Sequence, residues 1–100
     1  MIKRPSKHAN LILLVRSCVA SGHYVDTYHA ERRSGERRIN RLEIEYVLKT
    51  GWHEVAKDKF DSHYKAWNYS LRGKTLDELE VRVIISFDKL QMLVVTVIRL

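Results

Sequence analysis

Cysteine and proline are almost absent from this sequence of 100 residues, which contains one of each, Cys18 and Pro5. A single cysteine excludes an internal disulfide and every metal site built on paired cysteines. Cys18 lies in an apolar stretch with Val15 and Val19, so we interpret it as a buried small hydrophobe rather than a nucleophile. The four glycines form no phosphate-binding loop.

Long hydrophobic runs are also missing. The apolar run at residues 11–15 is short, is followed by Arg16 and lacks a small-residue cleavage site, which argues against a secretory signal. No stretch approaches the roughly 20 apolar residues of a membrane-spanning helix. We therefore expect a soluble, cytoplasmic protein that makes no contact with a membrane.

The sequence has enough hydrophobic residues, 45%, to predict a single domain over residues 1–100 with one modest core. Its net charge of +6 favours an anionic partner, with nucleic acid first and an acidic protein second. Many small basic proteins bind nothing anionic specifically, and that alternative stays open. The five histidines show no metal-binding spacing, so we predict no metal and no other cofactor.

A first helix is predicted over residues 6–21. Ser6 is a suitable cap, the apolar residues recur at helical spacing, and Gly22 is a typical helix end. Residues 23–26 are expected to form an extended link.

A second helix is predicted over residues 41–50. Asn40 and Glu43 have the spacing of a capping box, in which each side chain accepts a hydrogen bond from the other residue's backbone N–H. Gly51 is expected to end this helix.

After the second helix the apolar periodicity changes from helical to alternating, which predicts strands. Strands are expected at residues 52–57, 64–72, 79–87 and 92–98, and turns are expected at residues 73–75 and 88–89. The last strand is a nearly unbroken apolar run, which predicts a central strand covered on both faces. The predicted fold class is α+β, with N-terminal helices packed on an antiparallel sheet of about four strands.

The most polar segment covers residues 28–39. If it is helical, His29, Arg33 and Arg37 form one ridge. Guanidinium groups bind phosphate oxygens in bidentate fashion and an imidazole transfers protons near neutral pH, so this ridge suits a phosphodiester. Two alternatives remain: a solvated helix face whose glutamates pair with the arginines, and a docking surface for an acidic partner segment.

Three features resemble an uncharacterised family of RelE-like toxin domains: the motifs His29-Ala30-x-x-Arg33 and Arg37-x-Ile39, the capped helix before Gly51, and the closing strand Val94-Val95-Thr96-Val97. The start of the chain, Lys3-Arg4-Pro5 with a nearby His8, and the closing strands also resemble the MqsR-like messenger-RNA interferases. Both groups belong to the RelE/ParE-like superfamily, which is grouped with the barnase-type nucleases.

The resemblance implies a toxin of a type II toxin–antitoxin system that cleaves messenger RNA without a metal and is held by a cognate antitoxin. The MqsR-like site uses a lysine, a glutamine and a tyrosine, which align with Lys57, Asn68 and Glu80 of this chain. The lysine is therefore kept, the glutamine is replaced conservatively and the tyrosine is lost.

Metal-free RNA cleavage needs a base for the 2′-hydroxyl, stabilisation of the phosphorane and an acid for the leaving oxygen. The expected catalytic residues are His29, Arg33, Lys57 and His63. The expected RNA-binding residues are Arg32, Arg37, Asn68 and Arg82. His63 lies in a predicted loop, where a solvent-facing histidine without function is the competing interpretation. The competing function is a non-catalytic binding toxin, such as a ParE-like gyrase inhibitor, or an inert relative that only binds an antitoxin.

Overall fold

The computed structural model describes residues 4–27 and 39–100, which form two helices and an open, mixed sheet of six strands. The elements are α1 Leu11–Ser21, β1 Tyr24–Asp26, α2 Arg41–Thr50, β2 Trp52–His53, a 3-10 turn at Val55–Lys57, β3 Lys59–Asp61, β4 Ala66–Lys74, β5 Glu80–Phe87 and β6 Met92–Arg99. The class is α+β, as predicted. The predicted ridge residues His29, Arg33 and Arg37, and the predicted RNA-binding residue Arg32, lie outside the described residues.

Helix α2 has the predicted bounds and the predicted cap. The Asn40 side chain accepts a hydrogen bond from the Glu43 N–H at 2.8 Å, and the Glu43 carboxylate accepts one from the Asn40 N–H at 3.2 Å. The buried face of the helix consists of Ile44, Val47 and Leu48. Local signals therefore determine this element completely.

Helix α1 is shorter than predicted, because it begins at Leu11 rather than at residue 6. Its first residue follows Asn10, whose side chain makes no capping hydrogen bond, so Ser6 is not the cap. Residues 4–8 instead have no regular secondary structure, and they form hydrogen bonds with β4 and with Asp58 just before β3. The predicted end is confirmed, since Gly22 adopts the left-handed conformation with φ of 73°.

The strand order in the sheet is β1-β6-β5-β4-β2, and β3 also pairs with β4. The predicted antiparallel meander is present as β4, β5 and β6. The prediction of about four antiparallel strands was too simple, however, because β1 pairs in parallel with β6. The expected extended link at 23–26 is that strand.

Two further predictions about the sheet were wrong. The strand expected at 52–57 is only Trp52–His53, because the chain then enters the 3-10 turn. The turn expected at 73–75 lies later, since β4 continues through Lys74 and the Thr75 N–H donates to the Leu79 carbonyl at 3.0 Å.

The core lies between the two helices and one face of the sheet. Val83, Ile85, Val94 and Val97 on that face have no solvent exposure. The outward-facing residues of β6 are only half-buried, so the prediction that both faces of this strand are covered was wrong. In the described ranges, no helix is long and apolar enough to cross a membrane.

Candidate nucleic-acid interface

The face of the sheet opposite the helices is called the open face here. Directly paired residues of antiparallel strands share a face, so the register identifies its members. Ser70 of β4 pairs with Ile84 of β5, and Arg72 pairs with Arg82. The alternating neighbours of these residues fill the core, which leaves polar and apolar side chains side by side on the open face.

A depression of about 300 Å³ on the open face contains three of the predicted site residues. We call it the lysine pocket, and it is lined by Lys57, Lys59, Asn68, Arg82, Ile84 and Ile98. The strand register explains the convergence: Lys59 pairs with Asn68 across β3 and β4, and Arg82 pairs with Ile98 across β5 and β6. The structure therefore brings Lys57, Asn68 and Arg82 together, although they are up to 25 positions apart in the sequence.

The cations of the lysine pocket are not equivalent. Arg82 Nε lies 2.8 Å from Glu54 Oε1, and Arg72 Nη1 lies 3.4 Å from the other oxygen of that carboxylate. The hydrogen bond from Arg82, and then the one from Arg72, lower the pKa of Glu54 below its ordinary value. Lys57 and Lys59 are exposed and form no ion pair in the described parts of the chain. These two lysines are therefore the accessible cations of the pocket without an ion-pair partner among the described residues.

Glu80, which the resemblance placed at the tyrosine of the MqsR-like site, does not line the lysine pocket. Its carboxylate lies 3.2 Å from Arg72 Nη2, so it pairs with the arginine at the end of β4.

A second depression, of about 690 Å³, continues the open face beyond Asn68, which lines both. We call it the apolar pocket, because Ala66, Phe87, Leu93 and Val95 form much of its wall. Tyr64 stands at its edge with 77% of its surface exposed. The open face therefore combines a cationic end with an apolar end.

His63 does not join Lys57. It is exposed in the turn between β3 and β4, and its ring contacts that of Tyr64 with centroids 4.8 Å apart. The Asp61 carboxylate fixes this turn by accepting hydrogen bonds from the backbone N–H groups of His63 and Tyr64. His63 lines neither pocket, so its predicted catalytic role gains no geometric support.

The sequence analysis did not identify a buried carboxylate behind the lysine pocket. The Asp58 side chain is inaccessible to solvent, and its Oδ1 accepts a hydrogen bond from the Ser70 N–H at 2.9 Å. Its Oδ2 lies 2.7 Å from His53 Nε2 and 3.0 Å from Lys7 Nζ. We call Lys7, His53 and Asp58 the Asp58 anchor. The sequence did contain one signal for this carboxylate, its position between Lys57 and Lys59. Its partner Lys7 is distant in the sequence, so the contact could not be predicted.

No cluster of three or more histidine, cysteine, aspartate or glutamate residues that could hold a metal occurs within residues 4–27 and 39–100. Cys18 is partly buried, and this burial raises the pKa of its thiol above the ordinary value. The thiolate population at neutral pH is thereby reduced, in agreement with the non-nucleophilic interpretation.

Comparison with known proteins gives one match. Residues 27–99 match the family model of DUF4258, a domain of unknown function. No curated protein and no solved structure matches the chain. The matched range contains α2, strands β2 to β6 and every residue of the lysine pocket, whereas α1, β1 and residues 4–8 precede it. Because the match spans most of the chain, the protein belongs to the DUF4258 family.

Proposed function

We propose that this protein is the toxin of a type II toxin–antitoxin system, a RelE-like, metal-independent endoribonuclease that cleaves messenger RNA. The observation that carries the proposal is the convergence of Lys57, Asn68 and Arg82 on the lysine pocket. A basic pocket on the face of the sheet opposite the two described helices gives a single strand access to the phosphate-binding cations. The net charge of +6 adds a general attraction for RNA.

In the proposed reaction, the RNA 2′-oxygen attacks the adjacent phosphorus atom and the 5′-oxygen of the next nucleotide leaves. The products are a 2′,3′-cyclic phosphate and a free 5′-hydroxyl, and one proton passes from the attacking oxygen to the leaving oxygen. Lys57 and Lys59 stabilise the charge on the phosphorane, as fixed cations do in a pre-formed site. The Asn68 amide is placed to orient the nucleotide by hydrogen bonds.

The proton-transfer role is assigned to His29, with His63 as the alternative. Thr27, two positions before His29 in the sequence, lines the apolar pocket. The last described residue before the basic segment therefore lies at this pocket. The arginines of that segment are proposed to bind flanking phosphates. An acidic antitoxin segment would compete for the same cations.

A binding toxin without catalysis is the second candidate, either a ParE-like gyrase inhibitor or an inert antitoxin-binding relative. Two observations favour it: Glu54 already neutralises Arg82, and the apolar pocket is the larger depression. Such a pocket suits an apolar protein segment.

The decisive experiment incubates the purified protein with single-stranded RNA in the presence of a chelator. We expect cleavage, and a loss of about 100-fold or more in rate for Lys57→Met if this lysine stabilises the transition state. Lys49→Met removes an exposed lysine of α2 outside the pocket and serves as the matched control. DNA of the same sequence, which lacks the attacking 2′-hydroxyl, should remain intact. Intact RNA would reject the nuclease and leave the binding toxin as the candidate.

A further inference from the structure

The first described residues, 4–8, form an arm that contacts β3 and β4 on the core side of the sheet, where the helices also lie. The Pro5 carbonyl accepts a hydrogen bond from Trp67 Nε1 at 2.7 Å, and the His8 N–H donates to the Tyr69 hydroxyl at 3.0 Å. Arg4 lies over the Phe60 ring at 5.3 Å from its centroid. The arm is therefore held at several points along its length.

Lys7 is the residue of the arm that reaches furthest into the structure. Its Nζ lies 4.6 Å from the centroid of the Trp67 ring and 3.0 Å from Asp58 Oδ2, across 51 positions of sequence. Exposed ion pairs contribute little to stability, but this one has an inaccessible carboxylate as its acidic partner. Among the described residues, removing the cation would leave Asp58 with His53 and the Ser70 N–H as side-chain partners. Removing one partner of a buried charge is costly, so we expect the Asp58 segment to be held less firmly without Lys7.

Asp58 lies between Lys57 and Lys59, and the side chains of these three residues alternate across the sheet. The lysines enter the lysine pocket on the open face, whereas Asp58 points towards Lys7 and His53 on the other side. The Asp58 carboxylate also takes the place of a strand partner for β4. It accepts a hydrogen bond from the Ser70 N–H of β4 in the gap between the end of β2 and the start of β3. The position of both lysines thus depends on one buried side chain.

We propose that the arm acts through the Asp58 anchor to hold Lys57 and Lys59 in the lysine pocket, so that Lys7 is a positioning residue for RNA binding. The inference rests on the proposed function only for the role of the two lysines. Because residues 4–8 precede the DUF4258 match, the inference assigns a part of the site to a segment outside the family domain. It also makes the arm a control point: a molecule that pulls the arm away would weaken RNA binding from the opposite side of the sheet.

The competing explanation of any effect of Lys7 is direct contact with RNA. A double-mutant cycle separates the two, using a short single-stranded DNA oligonucleotide that cannot be cleaved and that presents the same phosphates. Lys7→Met should weaken binding roughly fivefold in the wild-type background, and Lys7→Arg should restore most of the affinity. In a chain that carries Lys57→Met and Lys59→Met, Lys7→Met should have almost no further effect. Equal losses in both backgrounds would overturn the inference and make Lys7 a phosphate contact.

A second measurement needs no nucleic acid. The Ser70 amide donates to Asp58, and Ser70 has no solvent exposure, so its hydrogen exchange reports the anchor directly. Lys7→Met should accelerate exchange at Ser70 and Lys57 by roughly tenfold relative to β5 amides, whereas Lys49→Met should not. Unchanged exchange at Ser70 would reject the anchor even if the protein binds RNA. If the wild-type protein binds no oligonucleotide, the proposed function fails, and the exchange rates alone decide whether the arm holds this segment.

Discussion

Arg82 donates a hydrogen bond of 2.8 Å to Glu54, and this bond places a carboxylate against the deepest cation of the lysine pocket. Arg82 retains only 17% of its side-chain exposure. A phosphate must therefore compete with Glu54 for this guanidinium. In the unliganded protein, the effective charge of the pocket comes mainly from Lys57 and Lys59.

The first prediction follows from that pairing. Glu54→Gln should raise the affinity for single-stranded nucleic acid. Without the carboxylate of Glu54, the positive charge of Arg82 is no longer neutralised and can pair with a phosphate. The slope of log K against log salt should steepen by about 0.7, the value for one added phosphate contact on a single strand. Salt titrations of a labelled oligonucleotide measure both quantities. Glu78→Gln, at an exposed glutamate outside the pocket, is the control; an unchanged slope in Glu54→Gln would exclude Arg82 as a phosphate ligand.

The second prediction concerns acid stability. Arg82, and to a smaller extent Arg72, lower the pKa of Glu54 in the folded state relative to the unfolded chain. The resulting stabilisation is complete above the unfolded pKa of about 4.3 and is lost as the pH falls through the folded value. Wild-type protein should therefore lose stability more steeply than Glu54→Gln on acidification below about pH 4.3. Urea melts over an acidic pH series test this, and parallel pH profiles for the two proteins would contradict it.

The third prediction concerns a close backbone approach at the start of the sheet. A Cβ on Gly51 would lie 2.5 Å from the Arg72 carbonyl oxygen and 2.7 Å from that of Val47, so backbone atoms would have to move. Gly51→Ala should lower the free energy of unfolding by about 2 kcal/mol or more. At Gly22 a Cβ meets open space, and only the left-handed backbone opposes alanine, at a cost of about 1–2 kcal/mol. A thermal melt that ranks Gly22→Ala as the more harmful change would contradict this packing argument.

Gly51 and Gly73 also show why part of the fold could not be predicted from the sequence. Gly73 suggested a turn, but it lies within β4 because its Cα hydrogens allow close packing: an added Cβ would be 3.1 Å from the Gly51 Cα. Helix α2 was predicted correctly, since its cap and its stop are signals within a few residues. Strand β1 was missed, because three residues carry little periodicity and its partner is β6.

The candidate site, like the fold, could be predicted from the sequence only in part. The resemblance to the MqsR-like site selected Lys57 and Asn68, and Arg82 was selected as a further phosphate-binding cation. The strand register then places Asn68 and Arg82 on one face of the sheet. The roles of Lys7 and His53 depend on contacts with Asp58 that no local pattern encodes.

The fourth prediction concerns growth. Expression of the chain alone should slow bacterial growth if it is a ribonuclease toxin. His29→Ala and Arg33→Ala should abolish this effect while the protein remains folded, because the sequence analysis gives neither side chain an apolar role. Val83→Ala should instead act through stability, since Val83 is fully buried and its truncation should cost about 1–3 kcal/mol.

Growth curves and thermal melts on the same variants distinguish these causes. Normal growth at high expression of folded wild-type protein would count strongly against a toxin. Full toxicity of His29→Ala would remove His29 from the catalytic site and leave Lys57, His63 and Arg82 as the better candidates.

The fifth prediction concerns Cys18. Because burial raises the pKa of its thiol, little thiolate forms at neutral pH, and alkylation by iodoacetamide should be slower than in the urea-unfolded chain. The ratio of the two rates, followed by mass spectrometry, should exceed about tenfold if access requires local opening. Equal rates would mean that Cys18 is a reactive surface thiol.

The parallel pairing of β1 with β6 has a consequence for how the molecule folds. Tyr24 lies beside Met92, so the edge strand β1 finds its partner only after the chain has turned through β4 and β5. Contacts between such distant segments form late, because the entropy of closing a long loop must be overcome first. The hairpins β4-β5 and β5-β6 can assemble locally, so we expect β1 and the helix before it to dock after these hairpins have formed. During synthesis, the chain therefore completes its sheet only after β6 has emerged, and a chain interrupted before residue 92 leaves β1 without a strand to pair with.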